Sequence, residues 1–335
     1  MHDVAKPTPI VNAIYSSQNP SIQIHRPFNS NANMSKPTIA ILSIGQMGLG
    51  ISSLLLANSY RVITNVSDRS PATQKRAKDT NIECFETDAD LVREADYIFS
   101  IVPPRNAIAT AQRIQNALSY NNGKELWYAD LNAISPQSAR SIAEEFAKHT
   151  PSVKFLDGGI IGGPPSKKDG DTWTKPDIPI SGPHALPDEQ LASILNMQYL
   201  GPEIGSASGL KCCFAALSKG FIALSLQSYT TASNLNVLPH LQNYLDVYNP
   251  GARQKAERTI VGCTGKAYRW VEEMNQIGEC FVVDGGFGEQ ARVFREIAGV
   301  FQGLADAVER EGTGGMGDAE GVVGVLGEGL KEKRA

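Results

Sequence analysis

The sequence lacks a strong excess of charge of either sign and lacks long apolar runs. Its 335 residues carry 31 lysines and arginines against 35 aspartates and glutamates, a formal net charge of −4. That balance gives no indication of a nucleic-acid surface. No run approaches the roughly 18 uninterrupted apolar residues that a membrane-spanning helix needs. We therefore expect neither nucleic acid nor a membrane as a partner.

Paired cysteines are also missing from the sequence. The five cysteines are Cys84, Cys212, Cys213, Cys263 and Cys280. None forms a CxxC pair, and an odd number without regular spacing favours a reduced intracellular protein over a disulfide framework. We expect a cytoplasmic protein with no metal site.

Strands and helices alternate through the first part of the chain, and the character then changes. Short apolar runs bounded by glycine or proline alternate with helical patterns, which predicts a Rossmann fold, a doubly wound and mostly parallel sheet. After about Gly205 the patterns are helical throughout. We expect a disordered leader over residues 1–36, a dinucleotide-binding domain over 37–202, an all-α domain over 203–311, and a flexible glycine-rich tail over 312–335.

The stretch ILSIGQMGLG, residues 41–50, contains the turn that a dinucleotide-binding fold requires. It follows a predicted strand and opens a predicted helix, and a second strand closes the unit in just under 30 residues, as the fingerprint G-x-G-x-x-G demands. Gly45 and Gly48 fit the later glycines, with Gln46 and Met47 between them. Ser43 replaces the first glycine, and we expect it to fit if its φ stays negative. These five residues are the predicted pyrophosphate turn.

The identity of the cofactor depends on the end of the second strand, where the chain reads Asn65-Val66-Ser67-Asp68-Arg69-Ser70. An acidic residue here holds the ribose of NAD, whereas an arginine accommodates the 2′-phosphate of NADP. Asp68 serves the first alternative. Ser67, Arg69 and Ser70 serve the second, with Arg69 able to bind phosphate in a bidentate manner. Asn65, where the strand ends, is a further expected cofactor contact. We favour NADP and keep NAD open.

A long helix is predicted over residues 208–234, which contain no proline and little charge. Lys211 lies near its beginning, next to Leu210, Cys212, Cys213 and Phe214. Apolar surroundings lower the pKa of an amine, and a lysine whose pKa falls toward roughly 7 to 8 can act as a general acid or base. The alternative is a lysine whose amine reaches solvent. Lys219 is a weaker candidate for the same role.

Four motifs together resemble the β-hydroxyacid dehydrogenase family, which includes 6-phosphogluconate dehydrogenase. Residues 43–48 are similar to its G-x-G-x-M-G turn, and residues 130–136 to D-x-S-T-x-x-P. Residues 157–163 are similar to D-A-P-V-S-G-G, and residues 205–211 to G-x-G-x-x-x-K. The resemblance covers about residues 37 to 305 and points to a divergent branch with a phosphogluconate-dehydrogenase-like C-terminal domain.

The resemblance implies an NAD(P)-dependent dehydrogenase in which Lys211 is the catalytic acid and base. Val102 and Pro103 would form the wall under the nicotinamide or its ribose. The expected substrate contacts are Asn132, Ala133, Gly162, Gly163 and Phe214. Three polar residues of the family have become Ala133, Ile161 and Phe214, which favours a less polar or bulkier substrate.

Two other functions stay open. One is imine reduction, which related folds perform. The other is a dinucleotide-binding regulator without catalysis, which Ser43 and the altered substrate motifs would suit. The long apolar helix predicts, in either case, a homodimer that packs these helices across its two-fold axis.

Overall fold

The computed structural model describes residues 36–332, apart from residues 122, 169, 171 and 250. The predicted leader therefore lies outside the described residues, except for Lys36. Within the described ranges the strands are β1 Thr38–Leu42, β2 Arg61–Asn65, β3 Glu83–Phe85, β4 Tyr97–Ser100, β5 Leu126–Asp130, β6 Val153–Gly158, β7 Ser166–Lys167, β8 Trp173–Thr174, β9 Ile178–Ser181 and β10 Met197–Tyr199.

Helices connect these strands and then form the rest of the described chain. The α-helices are α1 Gln46–Ala57, α2 Pro71–Asp79, α3 Asp88–Glu94, α4 Ala107–Ala117, α5 Pro136–His149, α6 Glu189–Ile194, α7 Ser206–Asn234, α8 Leu238–Tyr248, α9 Ala252–Cys263, α10 Ala267–Val283, α11 Arg292–Glu311 and α12 Ala319–Glu332. Short 3₁₀ turns cover Pro104–Asn106, Leu118–Tyr120 and Gly288–Ala291.

Eight strands form one sheet in the order β10-β9-β6-β5-β4-β1-β2-β3. The six strands from β3 to β6 in this order run parallel, and β9 pairs antiparallel with β6. Every residue of β1 and β5 is buried, which explains their continuous apolar character. The predicted Rossmann sheet followed by a helical region is confirmed.

Parallel pairing brings the carboxyl ends of the central strands to one edge. Leu42 of β1 pairs with Ser100 of β4, Ser100 with Asp130 of β5, and Asp130 with Asp157 of β6. In open α/β sheets, ligands bind in the crevice outside this edge, at the point where the strand order reverses. Here that point lies between β1 and β4.

Helix α7 runs through the helical region and packs against α9, α10, α11 and α12. Its buried residues include Ala223, Leu226 and Tyr229, which belong to one apolar cluster. By length and composition alone this helix could cross a membrane, a test that the core helix of a water-soluble fold also passes. Its many tertiary contacts identify it as the central helix of this region.

The chain after Gly312 differs from the flexible tail that we expected over residues 312–335. Ala319–Glu332 forms helix α12, and its residues Val322, Val323 and Leu326 are buried. Gly327 serves packing, because a Cβ there would lie 3.1 Å from the side chain of Asn234 at the end of α7. This segment therefore completes the helical core, which local composition alone could not reveal.

Candidate active site at the carboxyl edge of the sheet

The glycine turn between β1 and α1 has the geometry of a dinucleotide site. A Cβ on Gly48 would lie 2.1 Å from the carbonyl oxygen of Ser43, so only glycine fits there. A Cβ on Gly45 would meet nothing within 4 Å, because this residue faces open space. Gly45 is also the N-cap of α1, so the first N–H groups of the helix have no side-chain cap from it. Such an N-terminus is suited to hold a phosphate.

Ser43 departs from our expectation for this turn. Its φ is +83°, in the left-handed region, whereas we expected a negative value. The chain must reverse between the end of β1 and the start of α1. Ser43 therefore adopts the left-handed conformation that the first glycine of the G-x-G-x-x-G fingerprint would adopt without strain. Gln46 is exposed and Met47 is half-buried against the sheet core.

The residues after β2 form a hydrogen-bonded turn. Asn65 donates to Asp88 at 2.8 Å, and its oxygen accepts from the backbone N–H of Ser67 at 3.1 Å. Ser70 is the N-cap of α2 and accepts from the backbone N–H of Thr73. Asn65 and Ser70 thus fix the local backbone, and both lie beside the predicted ribose position.

Asn132 joins the ends of β4 and β5. Its side-chain oxygen accepts from the backbone N–H of Val102 at 2.6 Å, and its amide nitrogen donates to Ser100 at 3.0 Å. Its own backbone N–H donates to Asp130, whose pKa burial raises to about 7. Asn132 is 3% exposed, so it holds Val102 in place rather than facing the crevice, whereas Pro103 is exposed.

Lys211 lies on α7 where this helix crosses the end of β6. A Cβ on Gly159 would lie 2.9 Å from the Cβ of Lys211, so the absence of a side chain at position 159 allows the lysine stem to pass. The Lys211 amine donates a hydrogen bond to the carbonyl oxygen of Ile160. The motif after β6 and the motif at the start of α7, far apart in sequence, are thus brought together.

The surroundings of Lys211 weaken the charged form of its amine. Burial is the main cause and the nearby positive charge of Lys219 adds to it, so the pKa of Lys211 falls to about 8. Glu273 acts in the opposite direction. Lys219 forms an ion pair with Glu273 at 2.6 Å and is 8% exposed, so it is buried rather than facing the crevice. Among the described residues, no cluster of histidine, cysteine and carboxylate side chains could hold a metal ion.

Asp157, at the end of β6, holds the first turn of α7. Its carboxylate accepts from the backbone N–H groups of Gly205 at 2.9 Å and Ser208 at 3.0 Å, and from the hydroxyl of Ser181 at 3.0 Å. It also accepts a hydrogen bond from the hydroxyl of Ser208. The cap comes from a residue about 50 positions earlier, so no local sequence signal predicts this role.

The remaining predicted substrate residues differ in their exposure. Ala133 is half-buried, and Gly162 and Gly163 lie exposed in the loop after β6. Phe214, three residues after Lys211 on α7, is 50% exposed. Residues four apart share a face of a helix, so the buried Ala215 follows Lys211 on the same side.

Comparisons with known proteins agree with the fold described above. Residues 38–174 match the NAD binding domain of 6-phosphogluconate dehydrogenase, and residues 232–304 match a domain of unknown function, DUF1932. The chain therefore combines an NAD-binding domain of the 6-phosphogluconate dehydrogenase type with a DUF1932 domain. An uncharacterized 28.5 kDa protein of Methanothermus fervidus is 27% identical over 210 residues, which cover 61% of this chain and 76% of the relative.

Solved structures show the same fold. A conserved hypothetical protein from Sinorhizobium meliloti has a TM-score of 0.61 at 21% identity, covering 89% of this chain and 98% of its own. The 3-hydroxyisobutyrate dehydrogenase of Mycobacterium tuberculosis has a TM-score of 0.57 at 16% identity, and the match covers 87% of this chain and 99% of that protein. An imine reductase variant from Myxococcus stipitatus, in complex with NAD⁺, has a TM-score of 0.50 at 16% identity. This match also covers 87% of this chain and 99% of the other.

Proposed function

We propose that this protein is an NAD(P)-dependent oxidoreductase with Lys211 as its general acid and base. The reaction is reversible hydride transfer between the nicotinamide and a hydroxy acid or a related alcohol or carbonyl compound. The position of Lys211 supports this most directly. Its stem crosses Gly159 and its amine lies at Ile160, at the edge of the sheet where open α/β folds bind their ligands.

The lowered pKa of Lys211 suits proton transfer in both directions. In oxidation the neutral amine takes the hydroxyl proton as the hydride leaves the carbon, and in reduction the ammonium group gives a proton to the carbonyl oxygen. Because the pKa is about 8, both forms are available near neutral pH. We expect the rate of reduction to fall above pH 8 and the rate of oxidation to rise up to that pH.

The substrate side of the site favours a compound less polar than a sugar acid. Ala133 offers no hydrogen bond, and Ile161, which pairs with Asp177 through its backbone, stands at the edge of the crevice. Backbone N–H groups of Gly162 and Gly163 are the proposed donors to a substrate carboxylate. We assign Asn132 to positioning Val102, because both ends of its amide are already used.

We propose NADP as the preferred cofactor, with NAD as the alternative. Arg69 and Ser70 follow the carboxyl end of β2, the region where the adenosine ribose is recognised in this fold. The reduced cysteines support a cytoplasmic protein: Cys84, Cys212, Cys213, Cys263 and Cys280 are all free.

A homodimer is also part of the proposal. Leu210, Phe214, Leu217 and Leu224 form an exposed apolar stripe on α7, with Leu217 81% exposed. Their spacing of three, four and seven residues places them on one face of the helix. Exposed apolar patches of this kind mark interaction sites, and a second copy of α7 offers a matching surface.

Fluorescence and turnover test the proposed function in two steps. NADPH and NADH are first titrated into the protein, and turnover is then measured with a panel of hydroxy acids, ketones and imines. Lys211→Met should bind the dinucleotide within about threefold of the wild type and lose turnover by about 10² to 10⁴, the usual contribution of a general acid or base. Lys148→Met, at an exposed lysine of α5, is the control.

Each result of these measurements has a defined meaning. Binding without turnover on any panel member would favour a regulator, and turnover restricted to imines would favour an imine reductase. Full activity of Lys211→Met on a hydroxy acid or ketone would contradict the role of Lys211 as the acid and base.

A further inference from the structure

A cluster of opposite charges lies beyond the end of β2. Arg69 contacts one oxygen of the Asp68 carboxylate at 3.1 Å, and Arg113 contacts the other at 3.2 Å. Arg113 belongs to α4, more than 40 residues later in the chain, and no sequence motif pointed to it. Both oxygens of Asp68 are therefore held by arginines from two separate elements.

Arg113 is held more firmly than the carboxylate that it contacts. Arg113 also contacts Asp88 at 2.8 Å through its Nε, and Asp88 in turn accepts from Asn65 at the end of β2. The side chains of Arg69 and Arg113 are 30% and 28% exposed, whereas Asp68 is 54% exposed. Asp68 can thus rotate toward solvent while Asp88 keeps Arg113 in place.

Two arginines that converge on one exposed anion have the chemistry of a phosphate subsite. Guanidinium groups bind phosphate through paired N–H donors. Asp68 supplies a negative group between them in the same way that a phosphate oxygen would. The cluster also lies at the carboxyl end of β2, where a 2′-phosphate is recognised in dinucleotide-binding folds.

We propose that Asp68 is an internal substitute for the 2′-phosphate of NADP(H), and that Arg69 and Arg113 exchange it for the phosphate when this cofactor binds. Arg113 is then a specificity-determining residue. The carboxylate competes with the phosphate and so sets how strongly NADP(H) is preferred over NAD(H). This inference rests on the proposed function, because it requires a dinucleotide in the glycine turn.

The geometry distinguishes this role from direct recognition of NAD. A carboxylate recognises a ribose 2′-hydroxyl most strongly when its charge is not already compensated by cationic donors. Both oxygens of Asp68 already contact guanidinium groups, and contact with a hydroxyl would compete with two charged donors. Charge-assisted hydrogen bonds are roughly twice as strong as neutral ones, so the arginines should retain Asp68 against a hydroxyl and release it to a phosphate.

Fluorescence titrations that measure the affinity of each variant for NADPH and for NADH test the proposal. Asp68→Asn should bind NADPH about tenfold more tightly, because one charge-assisted competitor is removed, and NADH within about threefold of the wild type. Arg113→Gln should bind NADPH about 10- to 100-fold more weakly with NADH again within threefold. Retained NADH binding shows that each variant is folded. Arg76→Gln is the control, because Arg76 contacts Thr73 on the exposed part of α2.

Several outcomes would overturn the inference. Weaker NADH binding by Asp68→Asn with unchanged NADPH binding would show that Asp68 holds the ribose hydroxyl. If Arg76→Gln and Arg113→Gln weakened NADPH binding equally, Arg113 would act only through its positive charge and not as a specific phosphate contact. Failure of the wild type to bind either dinucleotide would overturn the proposed function itself, a result distinct from the first two.

Discussion

Ser43 shows at the scale of one residue how a turn imposes its conformation on an unsuitable side chain. A left-handed φ costs a residue with a Cβ roughly 1 to 2 kcal/mol, and Ser43 adopts φ +83°. The surrounding structure requires it, because its carbonyl oxygen occupies the space that the missing side chain of Gly48 leaves. The motif predicted the turn. The sign of the Ser43 φ could not be predicted, because it depends on how closely the end of β1 approaches the first turn of α1.

Ser43→Gly should therefore stabilise the protein. We expect an increase of about 0.5 to 1 kcal/mol in the free energy of unfolding, since relief of the left-handed conformation exceeds the extra chain entropy of glycine. Urea denaturation measures it. Asn81→Gly, at a second left-handed residue with φ +58°, should gain less because asparagine tolerates this region. A loss of stability in Ser43→Gly would contradict the strained conformation.

Among the predicted site residues, the sequence indicated the positions that the backbone determines, and it did not indicate the directions of the side chains. The glycine turn and Lys211 both lie at the expected edge of the sheet. Asn132 points inward to Val102, and the side chain of Phe214 is half exposed. Helical phase and buried hydrogen bonds decide these directions, and both depend on neighbours from distant segments.

Helix α7 shows at the scale of an element how the two halves of the site are joined. Composition predicted a helix over residues 208–234, and the observed helix begins two residues earlier, at Ser206. Asp157 of β6 caps this extra turn through Gly205 and Ser208. The same segment after β6 provides Gly159, across which Lys211 passes. The sheet therefore fixes both the start of the helix and the position of its lysine.

Gly159→Ala tests this crossing. The added methyl group would lie 2.9 Å from the Cβ of Lys211, so we expect a loss of about 1 to 3 kcal/mol in the free energy of unfolding from overpacking. Turnover should fall at least tenfold while dinucleotide affinity stays within about threefold, because the glycine turn is untouched. Gly265→Ala, between α9 and α10 and away from the site, is the matched control, since a Cβ there meets nothing within 4 Å. Equal behaviour of the two variants would contradict the crossing.

At the scale of the whole molecule, the class of fold was predictable because periodicity repeats over many residues. The strand order, with β1 next to β4, follows from the doubly wound pattern. The role of α12 was not predictable: its contact with α7 includes a close approach at Gly327, and a glycine-rich segment of this kind looks like a flexible tail in the sequence. The salt-bridged Arg113 is a further case, because topology alone brings α4 to the end of β2.

The proposed homodimer leads to a prediction about the α7 stripe. Leu217→Glu places a charge at the most exposed leucine of α7 and should shift the dimer toward monomer by about tenfold or more in the dissociation constant. Analytical ultracentrifugation at micromolar concentration measures it. Ile108→Glu, at an exposed residue of α4, is the control and should leave association unchanged. A wild-type protein that sediments as a monomer would contradict the proposal.

The titration of the Lys211 amine, observed by NMR with ¹³Cε-labelled lysine, tests the central claim most directly. The resonance is assigned by its absence in Lys211→Arg. A midpoint near pH 8 is expected in the free protein, because burial disfavours the charged amine. The midpoint should be lower with NADP⁺ than with NADPH. Only the oxidised nicotinamide ring is positively charged, and a nearby positive charge disfavours the protonated amine. A midpoint near 10.5 that neither cofactor moves would contradict a catalytic amine beside the nicotinamide.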